Sequence, residues 1–183
     1  MIIKQPKWYM VTGRPGSGKT YWIRAHLRTI PQSMLHILDY NGNDYQEFKQ
    51  ADRCIAKVTE DIDDFLWRTY RKGNCVVVLG DCDSYIRVNE MSQIKKTFIN
   101  TSRNRGITCI LDAKRVKNLP LDVRGRVNYS VIFQKTEDKD IQAHEEWACE
   151  SKGFFNGLRK LRVGEHVVYD HDVSQLMKGR KVS

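Results

Sequence analysis

The chain has 183 residues, of which 40% are hydrophobic and 29% charged, and this suits a single α/β domain with a sizeable core. Its apolar runs are far shorter than the roughly 18 residues that cross a bilayer, and the first seven residues lack a secretory signal. We therefore expect an intracellular protein without a membrane span. The net charge of +9 predicts attraction to polyanions such as nucleic acid.

Short β-rich runs alternate with amphipathic stretches along the chain, which is typical of α/β architecture. The predicted strands are residues 7–12, 34–38, 53–58, 75–79, 107–111 and 129–133, with one or two more within 161–169. The predicted helices are residues 19–30, 60–71, 89–101 and 138–150. The nearly pure β-branched run at 75–79 indicates a strand buried on both faces of a parallel sheet. We expect one domain over residues 1–176 and a flexible basic tail over 177–183.

Eight residues after the first predicted strand fit the phosphate-binding pattern G-x-x-x-x-G-K-[ST] and open a predicted helix. They are Gly13, Arg14, Pro15, Gly16, Ser17, Gly18, Lys19 and Thr20. Glycines let the backbone approach phosphates, and the N–H groups of the loop and helix face the anion. Lys19 is expected to reach the outer phosphates, and Thr20 to place its hydroxyl on Mg²⁺. We include Tyr21, which follows directly, among the expected nucleotide contacts.

The apolar strand 76–79 ends in Gly80 and Asp81, and resembles a Walker B motif whose acid holds Mg²⁺. Such strands usually end in two adjacent acids, and here that pair can be aligned in two ways, with Gly80 and Asp81 or with Asp81 and Cys82. Asp81 either stands in the catalytic position with Gly80 before it, or binds the metal while Cys82 replaces the second acid. In the second register, Asp83 is a candidate base. We predict that Asp81 is the functional acid, and we leave open whether it binds the metal or acts in catalysis.

Cations are concentrated between residues 103 and 126. They are Arg103, Arg105, Lys114, Arg115, Lys117, Arg124 and Arg126. They flank the buried strand that begins at Ile107, so some must lie at the ligand-binding edge of a parallel sheet. Four roles remain open for these cations. They are phosphate sensing, action of an arginine on a neighbouring subunit, contact with DNA, and a solvated basic face without a specific function.

Four segments together resemble the HerA–FtsK superfamily of P-loop motor ATPases, and most of all its genome-packaging branch in double-stranded DNA viruses. The segments are residues 13–20, 37–45, 103–124 and 161–169. The second carries the family's Asp at the strand end, followed by a Gly-acid-aromatic turn. Two features depart from the family pattern: Lys114 stands where a sensor Gln is usual, and the Walker B end is altered.

The resemblance implies a RecA-like (ASCE-type) P-loop core, with a mostly parallel sheet flanked by helices. The P-loop strand would lie in the middle, beside the strand that begins at Ile107. It further implies ATP and Mg²⁺ as cofactors, with Thr20 and Asp81 as metal ligands. Lys19 and Asp81 would be catalytic, and Arg103 or Arg105, on a turn free to project outward, would reach the triphosphate of a neighbouring subunit.

The implied function is an ATPase that drives double-stranded DNA into a viral capsid, as a hexameric or pentameric ring. Capsid or membrane-vertex proteins would be further partners, in the host cytoplasm or on the virion. Three alternatives remain open. They are a nucleoside or nucleotide kinase, a filamentous-phage-type assembly ATPase, and a nucleotide-gated DNA-binding scaffold with weak hydrolysis.

Overall fold

Eight strands form a single sheet in the computed structural model, which describes residues 5–55 and 58–179. The strands are β1 (Trp8–Thr12), β2 (Leu35–Leu38), β3 (Asp52–Cys54), β4 (Val76–Leu79), β5 (Thr108–Ala113), β6 (Tyr129–Phe133), β7 (His166–Asp170) and β8 (Gln175–Lys178). Their order across the sheet is β3-β2-β4-β5-β1-β6-β7-β8. The first six of these strands are parallel, while β7 and β8 are antiparallel at one side.

Helices cover both faces of the sheet. They are α1 (Lys19–Leu27), α2 (Thr59–Lys72), α3 (Gln93–Thr101), α4 (Leu121–Arg124) and α5 (Asp138–Ala148). Side chains of α2, α3 and α4 pack on one face with Leu79 and Leu111. Those of α1 pack on the other face with Val11 and Ile110. All four residues of β4 are buried, which confirms the strand predicted from its β-branched run.

The P-loop strand β1 lies between β5 and β6, so the predicted central position beside β5 is confirmed. One strand, β5, separates β1 from the Walker B strand β4. Because all these strands are parallel, their carboxyl ends meet at one edge of the sheet. The segments that follow β1, β2, β4, β5 and β6 therefore converge there, which is where open α/β sheets bind ligands.

Several element boundaries differ from the sequence prediction. Helix α3 begins four residues later than expected, because the Ser92 hydroxyl accepts a hydrogen bond from the Lys95 N–H and caps it there. Residues 161–165 are not a strand, and pairing begins only at His166. Met177 and Lys178, which we assigned to the tail, belong to β8 because they pair with β7. Of the remaining tail residues, Gly179 donates its N–H to the carbonyl of His166 at 3.1 Å, and residues 180–183 lie outside the described residues.

Within residues 5–55 and 58–179, no helix is long and apolar enough to cross a membrane.

Candidate functional site

The loop after β1 adopts a backbone that only glycine accommodates at key positions. A Cβ on Gly13 would lie 2.6 Å from the Phe133 Cβ, so the loop packs directly against the end of β6. Gly16 has a φ of 73° and, among the described residues, nothing within 4 Å of where its Cβ would be. The loop therefore presents open space at Gly16, and helix α1 begins three residues later, at Lys19. Backbone N–H groups and a helix N-terminus around such a space form an anion-binding site.

Two backbone hydrogen bonds brace the loop from β6 and from the segment before β7. Arg14 N donates to Gln134 O at 3.3 Å, and Gly164 N donates to Ser17 O at 2.9 Å. Gly164 lies in the stretch that we predicted to be a strand. Its place against the P-loop explains why an irregular segment is found there instead.

Lys19 and Asp112 face each other at the base of this loop. Their Nζ and Oδ1 atoms are 4.0 Å apart, and only 10% and 9% of the two side chains is exposed. Among the described residues, Asp112 Oδ1 has no hydrogen-bond partner. Burial raises the pKa of Asp112 to about 7, with repulsion from Asp81 and Asp44 adding to it, although the charge of Lys19 acts in the opposite direction.

The sequence analysis did not select Asp112 as a site residue. It belongs to β5, where Val11 of β1 is its partner, and that pairing brings it beside the P-loop. The signal that could have identified it is an acid inside an otherwise apolar strand, since buried carboxylates are rare without a partner.

Asp81 lies two residues after β4 in a left-handed conformation, with a φ of 48°. Its Oδ1 lies 3.2 Å from the Nζ of Lys114, and its Oδ2 accepts a hydrogen bond from Asn41. Lys114, at the position that the resemblance gives to a sensor, thus bridges the ends of β5 and β4. Backbone strain at a non-glycine residue often marks functional sites.

The neighbours of Asp81 supply no second acid. The thiol of Cys82 is fully buried in the apolar cluster, and burial raises its pKa well above the ordinary value. Asp83 is also buried, and its two carboxylate oxygens accept the N–H groups of Lys114 and Arg115, each at 3.2 Å. Asp83 therefore holds the end of β5, and this geometry does not favour it as a base.

The loop after β2 folds around the buried carboxylate of Asp39. That carboxylate accepts N–H groups from Gly42 at 3.0 Å and Tyr45 at 3.2 Å. These bonds carry Asp44 and Tyr45 to the site edge. The Tyr45 hydroxyl is buried without a hydrogen-bond partner among the described residues. Burial, followed by the charges of Asp112 and Asp44, raises its pKa well above the ordinary value.

A second residue that the sequence analysis missed is the cation Lys135, two positions after the end of β6. It is buried, and its Nζ donates to the carbonyl of Lys114 at 2.7 Å. Burial lowers its pKa to about 8, although the charge of Asp140 opposes this. It lines a cleft beside the P-loop, together with Gly13, Arg14, Pro15, Lys114, Arg115, Thr136, Glu137 and Asp140. A single lysine after a strand carries no pattern that would predict this position.

Arg103 and Arg105 lie at the opposite edge of the sheet, before β5. Four residues of β5, from Thr108 to Leu111, separate that edge from Asp112, or roughly 13 Å along the strand. The expectation that their turn is free to project outward is wrong. Arg105 donates to the carbonyls of Tyr70 and Arg71, which end α2 and have no helical partner, and Arg103 donates to Arg126 O and to the Asn128 side chain.

The residues at the site edge are compatible with Mg²⁺ carried by phosphates. Among residues 5–55 and 58–179, no group of three or more His, Cys, Asp and Glu side chains could hold a metal by itself. Mg²⁺ in nucleotide sites needs only one or two protein oxygens besides phosphate oxygens and water. The hydroxyl of Thr20 and the carboxylate of Asp81 supply that donor set, so they stay our predicted ligands.

Comparison with known families decides the class of this site. Residues 9–135 match the model of the ATPase family associated with various cellular activities (AAA). The chain belongs to this AAA family. The match contains the P-loop, Asp81 and Asp112, and so the expected ATPase and its binding of ATP are confirmed. No curated protein sequence matches the chain.

Solved structures with the same fold include two viral proteins. The genome-packaging NTPase B204 of Sulfolobus turreted icosahedral virus 2, in complex with sulfate, has a TM-score of 0.80 and 16% identity, over 98% of both chains. B204 of Sulfolobus turreted icosahedral virus, a DNA-packaging ATPase, has a TM-score of 0.81 and 16% identity, over 98% of this chain and 100% of that one.

A third structure, the pCW3 conjugation coupling protein TcpA with ATPγS, has a TM-score of 0.66 and 12% identity. It is matched over 98% of this chain and 61% of that one. At these identities the likeness concerns the fold. It confirms the RecA-like core of the AAA domain and the fold expected from the HerA–FtsK resemblance.

The raised pKa of Asp112 predicts a pH-dependent stability of the nucleotide-free protein. The contribution of Asp112 to the free energy of unfolding is fully present below its unfolded pKa of about 4 and is lost as the pH rises through about 7. Asp112→Asn removes this loss. Relative to the wild type, the variant's free energy of unfolding, measured by thermal unfolding, should therefore rise by about 2 kcal/mol from pH 5 to pH 8. Asp122→Asn, at an exposed acid in α4, is the control. An equal gain at both pH values would contradict the burial of an ionisable Asp112.

Proposed function

We propose that the chain is an ATP-driven translocase that moves double-stranded DNA into a viral capsid as a ring of identical subunits. The observation that carries this proposal is the likeness to both B204 packaging ATPases, which extends over almost the whole of each chain. The likeness therefore includes the core and the antiparallel strands β7 and β8. The net charge of +9 supports a polyanion as the transported partner.

The carboxyl edge of the sheet performs the nucleotide chemistry. N–H groups of the P-loop and of α1 bind the phosphates, and Lys19 turns from Asp112 to the outer phosphate oxygens. Thr20 and Asp81 would hold Mg²⁺, which would neutralise charge on those oxygens. Lys114 is paired with Asp81, so a change in the charge at Asp81 on binding or hydrolysis would shift Lys114 and the end of β5.

The amino edge of the sheet supports a ring. Arg103 and Arg105 line a polar cleft there, with Pro6, Lys72, Gly73, Asn74, Asn104 and Gly106. These arginines are too far from their own P-loop to act on it, so a triphosphate that they reach must belong to a neighbouring subunit. Arg105 is exposed, whereas Arg103 is half-buried, and Arg105 is therefore the better candidate. Either arginine would have to leave its present carbonyl partners in the ring.

The geometry gives less support to the kinase alternative. A kinase would need arginines closing over the phosphates, and the basic stretch from 103 to 126 was the candidate for such a lid. Arg103, Arg105 and Arg126 instead lie at the amino edge, held by carbonyls and by the side chains of Asn100 and Asn128. A ring of five or six subunits, with capsid or membrane-vertex proteins as further partners, fits the proposed motor better.

ATP hydrolysis by the purified chain should increase on addition of duplex DNA, and the increase should fall steeply between 50 and 200 mM salt. Lys19→Ala should abolish turnover and weaken ATP binding while the fold survives. Lys96→Ala, which removes an exposed lysine of α3, is the matched control and should retain turnover. Hydrolysis that a nucleoside stimulates but DNA does not would favour the kinase. Binding of ATP and DNA without hydrolysis would favour the scaffold.

Rings assembled from two kinds of variant subunit test whether Arg103 or Arg105 acts on the triphosphate of a neighbouring subunit. A Lys19→Ala subunit keeps its arginines, whereas an Arg103→Ala, Arg105→Ala subunit keeps its P-loop. Each preparation alone should be inactive, since the loss of an arginine finger costs about 10³–10⁵ in rate. The mixture should regain ATPase activity, because an intact P-loop can then lie beside an intact arginine. A co-assembled mixture that stays inactive would exclude the trans role of these residues.

A further inference from the structure

The Walker B strand offers one acid where the reaction needs two functions. Asp81 is assigned to Mg²⁺, yet hydrolysis also needs a group that takes a proton from the attacking water. Gly80 has no side chain, and the Cys82 thiol is buried among apolar side chains on the face away from α1. Asp83 is occupied by the N–H groups that hold the end of β5.

Asp112 stands beside this gap, on the neighbouring strand. Leu79 of β4 pairs with Leu111 of β5, so the next residue of β5 is level with Gly80. On its other side, Asp112 pairs with Val11, two residues before the P-loop. The residue on each side of Asp112 along β5 packs on the α2–α3 face, so strand alternation turns Asp112 toward α1.

The contacts of Asp112 are incomplete for a carboxylate that is nine-tenths buried. Its Oδ1 accepts no hydrogen bond from the described residues, and Lys19 Nζ is beyond hydrogen-bond distance at 4.0 Å. A buried polar atom left in this way is costly, and native structures retain few of them. Asp39 and Asp83, two buried carboxylates at the same edge, by contrast accept backbone N–H groups through both of their oxygens.

The position also links the carboxylate to nucleotide binding. Lys19 is the residue that must reach the outer phosphates, so bound ATP draws it away from Asp112. The carboxylate is then freed where the γ-phosphate of a nucleotide on the P-loop must lie. The charge of Asp44 acts on Asp112 and helps to raise its pKa, so a second acid of the same edge is electrostatically coupled to it.

We propose that Asp112 is the catalytic carboxylate that accepts the proton of the attacking water, in place of the acid missing after Asp81. The proposal rests on the ATP hydrolysis assigned above. The water oxygen bonds to the γ-phosphorus, and the bond from that phosphorus to the β,γ-bridging oxygen breaks. ADP leaves with that electron pair. The water proton passes to the Asp112 carboxylate, which later releases it to solvent, and Lys19 returns when phosphate departs.

Asp112→Asn keeps the size of the side chain and removes its basicity. The kcat for ATP hydrolysis should fall by about 10²–10⁴, the usual contribution of a general base. The Kd for a non-hydrolysable ATP analogue should be equal or lower than in the wild type, because the charge that competes for Lys19 is gone. Asp112→Ala should show the same two effects. Glu145→Gln, at a buried acid of α5 that accepts the N–H groups of Gly153 and Phe155, should leave both values within about threefold.

The results separate three cases. A kcat of Asp112→Asn within tenfold of wild type overturns the proposal. A parallel loss of analogue binding and turnover also overturns it, since Asp112 would then only support the P-loop. Wild-type protein that hydrolyses no ATP, with or without DNA, would overturn the proposed function and this role with it. ATP turnover that duplex DNA does not stimulate would overturn only the proposal of a DNA translocase. The effect of Asp112→Asn on kcat would still decide the role of Asp112.

Discussion

Parallel pairing of β2, β4, β5, β1 and β6 is the constraint on which the site depends. It brings five carboxyl ends to one edge, so residues far apart in the chain become neighbours. A shift of one residue between β5 and β1 would turn Asp112 to the opposite face of the sheet. The apolar side chains packed on both faces of the sheet prevent such a shift.

That same edge concentrates charges that do not balance one another in the free protein. Asp112, Asp81 and Asp44 repel each other, while Lys19 and Lys114 offset them only in part. The P-loop also presents N–H groups to open space at Gly16. A nucleotide with its cation supplies both missing partners, an anion for the loop and positive charge for the acids. The unfavourable interactions at this edge in the nucleotide-free protein are thus relieved on binding, and this relief adds to the affinity for the nucleotide.

Local patterns made much of this fold predictable. The P-loop, the buried strand β4 and the central place of β1 follow from glycine spacing, β-branched runs and the order of elements. The features that depend on long-range pairing were not predictable. Asp112 becomes a site residue only through its neighbours on β1 and β4, and the arginines before β5 are held by carbonyls that only the folded α2 brings near. The pairing of β8 with β7 likewise has no local sequence signal, because polar residues dominate its surroundings.

The proposed ring would bring together residues that the sheet keeps apart. The predicted phosphate ligands lie at one edge and the arginines at the other, with the length of β5 between them. A second copy must bring its amino edge to the first copy's P-loop if both groups are to meet on one triphosphate. Hydrolysis would then depend on contact between neighbouring subunits, and a ring motor needs this dependence to coordinate its subunits.

The exchange of partners by Lys19 is the central claim, and a crystal structure with Mg²⁺ and a non-hydrolysable ATP analogue tests it most directly. The decisive quantities are two distances from Lys19 Nζ, one to Asp112 Oδ1 and one to the nearest phosphate oxygen. The first should grow beyond its present 4.0 Å, and the second should be about 3 Å. A nucleotide bound away from Gly16, with Lys19 still facing Asp112, would contradict the account.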